Sequence, residues 1–230
     1  MIEVRKSNAR GQVSFDWLDS KHSFSFGSYY DPQHMGFSVL RVINDDTIKP
    51  SAGFGTHGHK DMEIITFVTQ GTIEHKDSMG NVKQLPKGEF QLMSAGKGIT
   101  HSEYNASDSE QLTLLQIWIE PESVGSPDYQ QKDFGQTQGL TAVITPTGEN
   151  GTLKIKQNAT ISHLYLAAGT DQPLIIDNKR KVYIQVVEGE LKLNEHILTA
   201  GDGIKLSGLT EAQLKNNAPQ PLEALVFDLP

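Results

Sequence analysis

The chain has no cysteine in its 230 residues. That absence removes a disulfide framework, a thiolate metal site and a cysteine nucleophile together, so any transition metal must be held by histidine and carboxylate. No run of about 18 apolar residues occurs, which excludes a membrane helix. The opening segment "MIEVRKSNARGQVSFDW" lacks the apolar core of a secretory signal, and the expectation is a soluble, cytoplasmic protein. Positive charge is scarce as well: 20 Lys and Arg against 28 Asp and Glu leave a net charge of -8 with no basic block. Nucleic-acid binders draw much of their affinity from a basic surface, so direct contact with DNA or RNA is not expected. No segment sustains a helical apolar stripe over three turns, and helix should be minor.

What the chain has instead is strand. At 37% hydrophobic and 21% charged it is globular in composition. Short runs such as "FSVLRVI", "IITFVTQ", "LTLLQIWIE", "KVYIQVVEG" and "LEALVFDL" are rich in β-branched and aromatic residues and are bounded by Gly, Pro, Asn or Asp. Dense short strands of this kind predict an all-β barrel or sandwich. Gly80-Asn81 within "DSMGNVKQ" marks a hairpin turn. The segment "TFVTQGTIEHKDSMGNVKQLPKGEFQLMSAG" aligns loosely with "IQVVEGELKLNEHILTAGDGIKLSG", matching Gly71 to Gly189 and Gly88 to Gly201. The alignment predicts one small β-barrel used twice. The stretch "EPESVGSPDYQQKDFGQTQG" is linker-like, and the expected division is 1–125 and 126–230.

Only the first half carries a His-x-His. In "FGTHGHKDME", His57 and His59 share one face of a strand, because side chains alternate with a period of two. A second pair with that spacing, His101 and Glu103, follows the Gly96-x-Gly98 turn in "SAGKGITHSEYN". Three imidazoles and one carboxylate suit Fe, Mn, Co, Ni, Cu or Zn better than a hard cation that wants six to eight oxygens. Such a set leaves coordination positions open for chemistry. His22, His34, His75, His163 and His196 have no partner at matching spacing and are read as structural. Glu63, four residues beyond His59, is expected to orient a histidine, and Lys60 with Asp61 to form a solvated turn. The aromatic stretch "HSFSFGSYYDP", with Met62, Met79 and Met93, is expected to pack rather than to bind substrate.

The pattern H-x-H-x-x-x-E, followed by S-A-G-x-G-I-x-H-x-x-x-N, resembles the two motifs of the cupin superfamily, with Asn105 closing the second. "WLDSKHSFSFGSYYDPQHMGF", "LRVINDD", "GFGTHGHKDMEI", "GTIEHKDSMGN", "GEFQLMSAGKGITHSEYN" and "LQIWIEP" run in the order of the pirin family, a bicupin family. The family often has proline between the two histidines, where this chain has Gly58. The resemblance implies two jelly-roll-type cupin barrels in tandem, with one metal in the first, held by His57, His59, His101 and Glu103. It implies Fe(II) as the usual ion, and similarity to bacterial quercetin 2,3-dioxygenases, which open a flavonol ring with O2 and release carbon monoxide. Glu103 would then act as base. A second implication is an iron-bearing, redox-responsive co-regulator with a protein partner, and a third a cupin isomerase or sugar-binding barrel.

Overall fold

The computed structural model describes residues 1–230. Helix is confined to two single turns, Ser7–Ala9 and Glu149–Gly151, and no helix is long and apolar enough to cross a membrane. The strands collect into two compact units. One, the histidine unit, comprises Gly11–Gly135 and Ile155–Gln157; the other, the C-terminal unit, comprises Met1–Arg10, Gln136–Lys154 and Asn158–Pro230. A single cut after residue 125 is too simple, because the first strand crosses it. Ile2–Arg5 pairs antiparallel with Gly203–Ser207, Ile2 and Val4 pack on the C-terminal core, and Lys205 Nζ binds Glu3 at 2.7 Å.

Each unit is a seven-stranded sheet with a four-stranded one, the jelly-roll arrangement of a cupin. In the histidine unit the larger sheet runs Asp128–Asp133, Glu89–Ser94, Glu63–Gln70, Leu112–Ile119, Leu40–Ile48, Leu18–His22, Gly11–Ser14. The smaller runs Gly53–His59, Ile99–Asn105, Thr72–Asp77, Val82–Pro86. The C-terminal unit repeats the order, with Ile2–Arg5 at the edge position that Asp128–Asp133 fills in the other. Its smaller sheet runs Asp171–Ile175, Glu211–Lys215, Glu190–Leu193, His196–Thr199.

Two devices recur at matching places. Gly71 and Gly189 both sit at positive φ, 80° and 81°. A Cβ at either would meet backbone, at 2.9 Å from Gln111 O and 2.3 Å from Pro221 O, so only glycine fits. Asn105 and Asn216 each donate from Nδ2 to three backbone carbonyls: Ile48, Lys49 and Glu110 in one unit, Leu166, Ala167 and Gln220 in the other. Buried amides fully satisfied in this way fix the strand register. The predicted duplication is therefore present in both sheets except at one edge of the larger one, where Leu153–Lys154 pairs parallel with Gly139–Thr145 while Gly11–Ser14 pairs antiparallel with Leu18–His22.

The interiors differ. Across the larger sheet of the histidine unit, the cross-strand partners His22, Asn44, Gln116, Thr66 and Gln91 form one row. All five are buried. The corresponding row of the C-terminal unit reads Ala142, Ser162, Val226, Ile184, Ile204. The C-terminal core is accordingly one continuous apolar cluster. In the histidine unit the polar row separates a cluster around Val68, Leu112 and Leu114 from another around Ile64, Met93 and Ile99.

Candidate metal centre and adjoining cavity

Strand Ile99–Asn105 alternates as the period of two requires: Ile99, His101, Glu103 and Asn105 are buried, while Thr100, Ser102 and Tyr104 face outward. His101 pairs with His57 across one edge and with Asp77 across the other. The register slips between His101 and Glu103, which pairs with Phe54, so the strand Gly53–His59 carries one extra residue there. This β-bulge bends the strand and re-aims its side chains. It brings the Gly55 carbonyl to 2.8 Å from His57 Nδ1. With Nδ1–H donating to that carbonyl, the free nitrogen of His57 is Nε2.

The imidazoles of His57, His59 and His101 converge, with ring centroids 4.5 to 4.8 Å apart and the Nε2 atoms of His57 and His101 at 3.1 Å. One donor atom from each lies within 4.8 Å of the others, a spacing one ion spans. Burial, and then the neighbouring imidazoles, push His59 down to about 4 and His101 down to about 3. Both are neutral at physiological pH, so a cation would meet lone pairs rather than protons. Glu103 is buried and accepts from Gln116 Nε2 at 2.9 Å through Oε2, while its Oε1 has no partner. His59 Nε2 is likewise buried without a partner. Orphaned buried atoms of this kind call for an ion or ligand, and the donor set fits a first-row divalent cation. Glu103 does not fall in the same tight set as the three histidines; it groups with His75 and His101, and His101 belongs to both.

His75 is the residue that sequence spacing missed. It is fully buried, with Nδ1 3.4 Å from His101 Nδ1 and Nε2 3.1 Å from Asp77 Oδ2. Burial works to raise Asp77, but donors from Asn81, His75 and Met79 outweigh it and hold its carboxyl below the usual range. The available signal was the His75-x-Asp77 spacing, the same two-residue step used for the other pairs. Glu63 is a correction in the other direction. It is buried but accepts from Ser94 Oγ at 2.8 Å and Lys156 N at 3.2 Å, and it fastens that corner instead of orienting a histidine. Burial raises its pKa, with Ser94 and Lys156 opposing. Lys60 and Asp61 form the expected exposed turn, with Asp61 at φ 53°.

His57 and His59 open onto a cavity of about 580 Å³, within the usual range for small-molecule sites. Trp17, Phe26, Phe54 and Trp118 supply apolar walls, and Ser20, His22, Asn44, Asp46 and Gln116 supply polar ones. Phe26 stands edge-on to Trp118 at 5.1 Å, and Trp118 edge-on to His59 at 5.0 Å. The aromatic stretch thus divides: Phe24 is core, as expected, whereas Phe26 and His22 line the cavity. Met93 is core, Met62 packs beside it, and Met79 is exposed. Of the remaining histidines, His163 pairs with Glu223 at 2.7 Å within the C-terminal unit.

The positions equivalent to the histidine centre in the C-terminal unit are apolar. The pairs His101–His57 and Glu103–His75 correspond to Ala212–Leu174 and Leu214–Leu193, all buried in its core. A jelly roll with a histidine-rich interior, followed by a second with the interior filled, defines a bicupin with one candidate metal centre. Residues 3–119 match the family model Pirin, and residues 142–229 match Quercetinase C-terminal cupin domain. The quercetin 2,3-dioxygenase of Escherichia coli (strain K12) is 49% identical over 231 residues, covering 100% of this chain and 99% of the relative. The crystal structure of bacterial pirin YhhW in complex with nickel(II) from Escherichia coli superposes with a TM-score of 0.96 at 48% identity, covering 100% and 99% of the two chains. The pirin-like protein YhaK of Escherichia coli (strain K12) is 32% identical across 100% of both chains. The chain belongs to the pirin family, whose quercetin 2,3-dioxygenase-like enzymes it matches from end to end.

Proposed function

We propose that this protein is a metal-dependent dioxygenase that opens the enolic ring of a flavonol with O2. The observation that carries the reading is the convergence of His57, His59 and His101, the first two opening onto a cavity walled by aromatic residues, with Glu103 beside His101 holding one carboxylate oxygen free. The relatives named quercetin 2,3-dioxygenase support the same class of substrate.

His57, His59, His101 and Glu103 would hold one divalent ion, Fe(II) before Mn, Ni, Co, Cu or Zn. That ion supplies Lewis-acid polarisation of the bound hydroxyl and a meeting place for O2. The remaining chemistry belongs to the chain. Gln116 fixes Glu103 through Oε2 and leaves Oε1 to accept the enolic proton. Trp118, Phe26 and Phe54 take the flat faces of the substrate, exclude water and hold it against the histidines, which removes entropic cost from the encounter.

The test is oxygen consumption with quercetin by protein reconstituted anaerobically with each candidate metal, using His57→Ala as control. Metal-dependent uptake with loss of flavonol absorbance, absent in the variant, is the expected result. Stoichiometric metal binding with no uptake for any ion would reject the dioxygenase and favour a redox-responsive interaction protein.

A further inference from the structure

The cavity holds a second polar group that the metal centre does not use. Ser20 and His22 lie on Leu18–His22, Asn44 and Asp46 on the neighbouring Leu40–Ile48, and the pairs Ser20–Asp46 and His22–Asn44 face each other across the ladder. All four line the cavity, yet they are only 3%, 4%, 4% and 2% exposed. Ser20 Oγ donates to Asp46 Oδ1, and His22 Nε2 lies 2.8 Å from Ser20 Oγ. With its proton committed to Asp46, Ser20 accepts from His22. The order is His–Ser–Asp with serine in the middle, so the imidazole donates to the hydroxyl instead of taking its proton, and the arrangement is not a Ser–His–Asp triad.

The group is rich in acceptors and short of donors. Asp46 has Ser20 as its hydrogen-bond donor and no Lys, Arg or His paired with it. Asn44 Oδ1 is buried with no partner at all. Burial first, and then the nearby Asp45 and Glu103, raise Asp46 to about 7 against the pull of Ser20. Once Asp46 is ionised, a carboxylate and an amide oxygen left in this state are costly unless a ligand brings donors. The same places in the C-terminal unit, paired as Leu140–Leu164 and Ala142–Ser162, carry no such arrangement. The polar group occurs in the unit that has the cavity and the histidines.

We propose that Asn44 and Asp46, with Ser20 and His22 behind Asp46, form a hydroxyl-recognition subsite that binds the phenolic hydroxyls of a polyhydroxylated aromatic ligand. Two acceptors on one strand face, two residues apart, receive O–H donors from the ligand. The walls of Phe26 and Trp118 hold its ring. The subsite would select hydroxylated rings over bare ones, because a ligand without donors leaves both acceptors buried and unpaired. This inference rests on the flavonol reading for its probes, but it is tested by binding and not by turnover.

The experiment measures fluorescence-quenching affinities of metal-free protein for quercetin and for 3-hydroxyflavone, which keeps the enolic hydroxyl and lacks those on the outer rings. Wild type is expected to prefer quercetin by about tenfold or more. In Asp46→Leu, the residue found at the equivalent position 164, that preference should fall to near one, while 3-hydroxyflavone affinity stays within about twofold. Asn44→Leu provides a second variant that leaves the Ser20–Asp46 bond in place, and it should lose part of the preference. An unchanged preference in either folded variant, or equal affinity of wild type for both compounds, overturns the subsite. Quercetin binding that depends on Asp46 in a protein that consumes no O2 keeps the subsite and rejects the dioxygenase.

Discussion

Replacing His75 with leucine separates the role of the buried second histidine from that of the metal-facing three. For His101 to present a lone pair from Nε2 toward His57, its proton must sit on Nδ1, which faces His75 Nδ1 at 3.4 Å. His75 then accepts on Nδ1 and donates from Nε2 to Asp77 Oδ2 at 3.1 Å. Asp77 thus fixes the tautomers of both rings, as carboxylates do behind metal-bound imidazoles. Leucine is the right replacement because Leu193 occupies the equivalent buried position. The fold should tolerate it: Asp77 keeps Asn81 Nδ2 at 2.8 Å, Asn81 N at 3.1 Å and Met79 N at 2.9 Å. The lost charge-assisted bond, about 1.5–3 kcal/mol, is partly offset by burying an apolar side chain, about 1.5–3 kcal/mol. Loss of an outer-shell partner typically weakens metal affinity by about 10–100-fold. Competition titration against a chelating indicator, with the Co(II) absorption spectrum as a geometric readout, measures this directly. His75→Gln, which can still bond on both sides, should recover part of the affinity. A folded His75→Leu protein with unchanged affinity and an unchanged Co(II) spectrum would refute the tautomer chain.

Three further outcomes follow from the same geometry. Glu103→Gln keeps the shape of the site but removes the proton acceptor; it should retain metal measurable by elemental analysis and lose most turnover, about 10²-fold or more. His101→Ala removes the residue common to both donor groups, and metal occupancy after dialysis should fall to background. Asp46→Asn should be more stable than wild type at pH 8 and gain little at pH 4. Asp46 is raised from 3.8 to about 7, so the folded state holds a proton that the unfolded chain releases above about pH 4, and stability is lost as pH rises through 7. The displacement corresponds to at most on the order of 4 kcal/mol. Urea denaturation at the two pH values reads the difference, and an equal effect at both would contradict the sign.

The metal-facing residues were legible because their spacing is local. A two-residue step on a strand puts His57 with His59 and His101 with Glu103 on common faces whatever the rest of the chain does. The duplication was legible through Gly71 and Gly189, whose backbone demands no other residue meets. His75 was not, since its importance depends on Thr72–Asp77 lying next to Ile99–Asn105 in one register. Ser20, His22, Asn44 and Asp46 were hidden for the same reason: each looks unremarkable alone, and only the ladder between Leu18–His22 and Leu40–Ile48 joins them. The docking of Ile2–Arg5 onto Gly203–Ser207 has no local signal at all.

The two units then act as a comparison built into one chain. Both use the same strand order, the same Gly71 and Gly189 turns and the same Asn105 and Asn216 forks. Yet where the C-terminal unit places Leu174, Leu193, Ala212, Leu214 and Val226, the histidine unit places His57, His75, His101, Glu103 and Gln116. Apolar filling is the cheaper solution for a barrel interior, because each buried polar group must find a partner or cost stability. Unpartnered atoms at His59 and Glu103 persist where the C-terminal unit has apolar Ile176 and Leu214, and others remain at Asn44 and Trp118 along the same cavity. Such departures from the stable pattern concentrate where a protein binds and reacts, and here they trace the wall of one cavity and the histidine centre beside it.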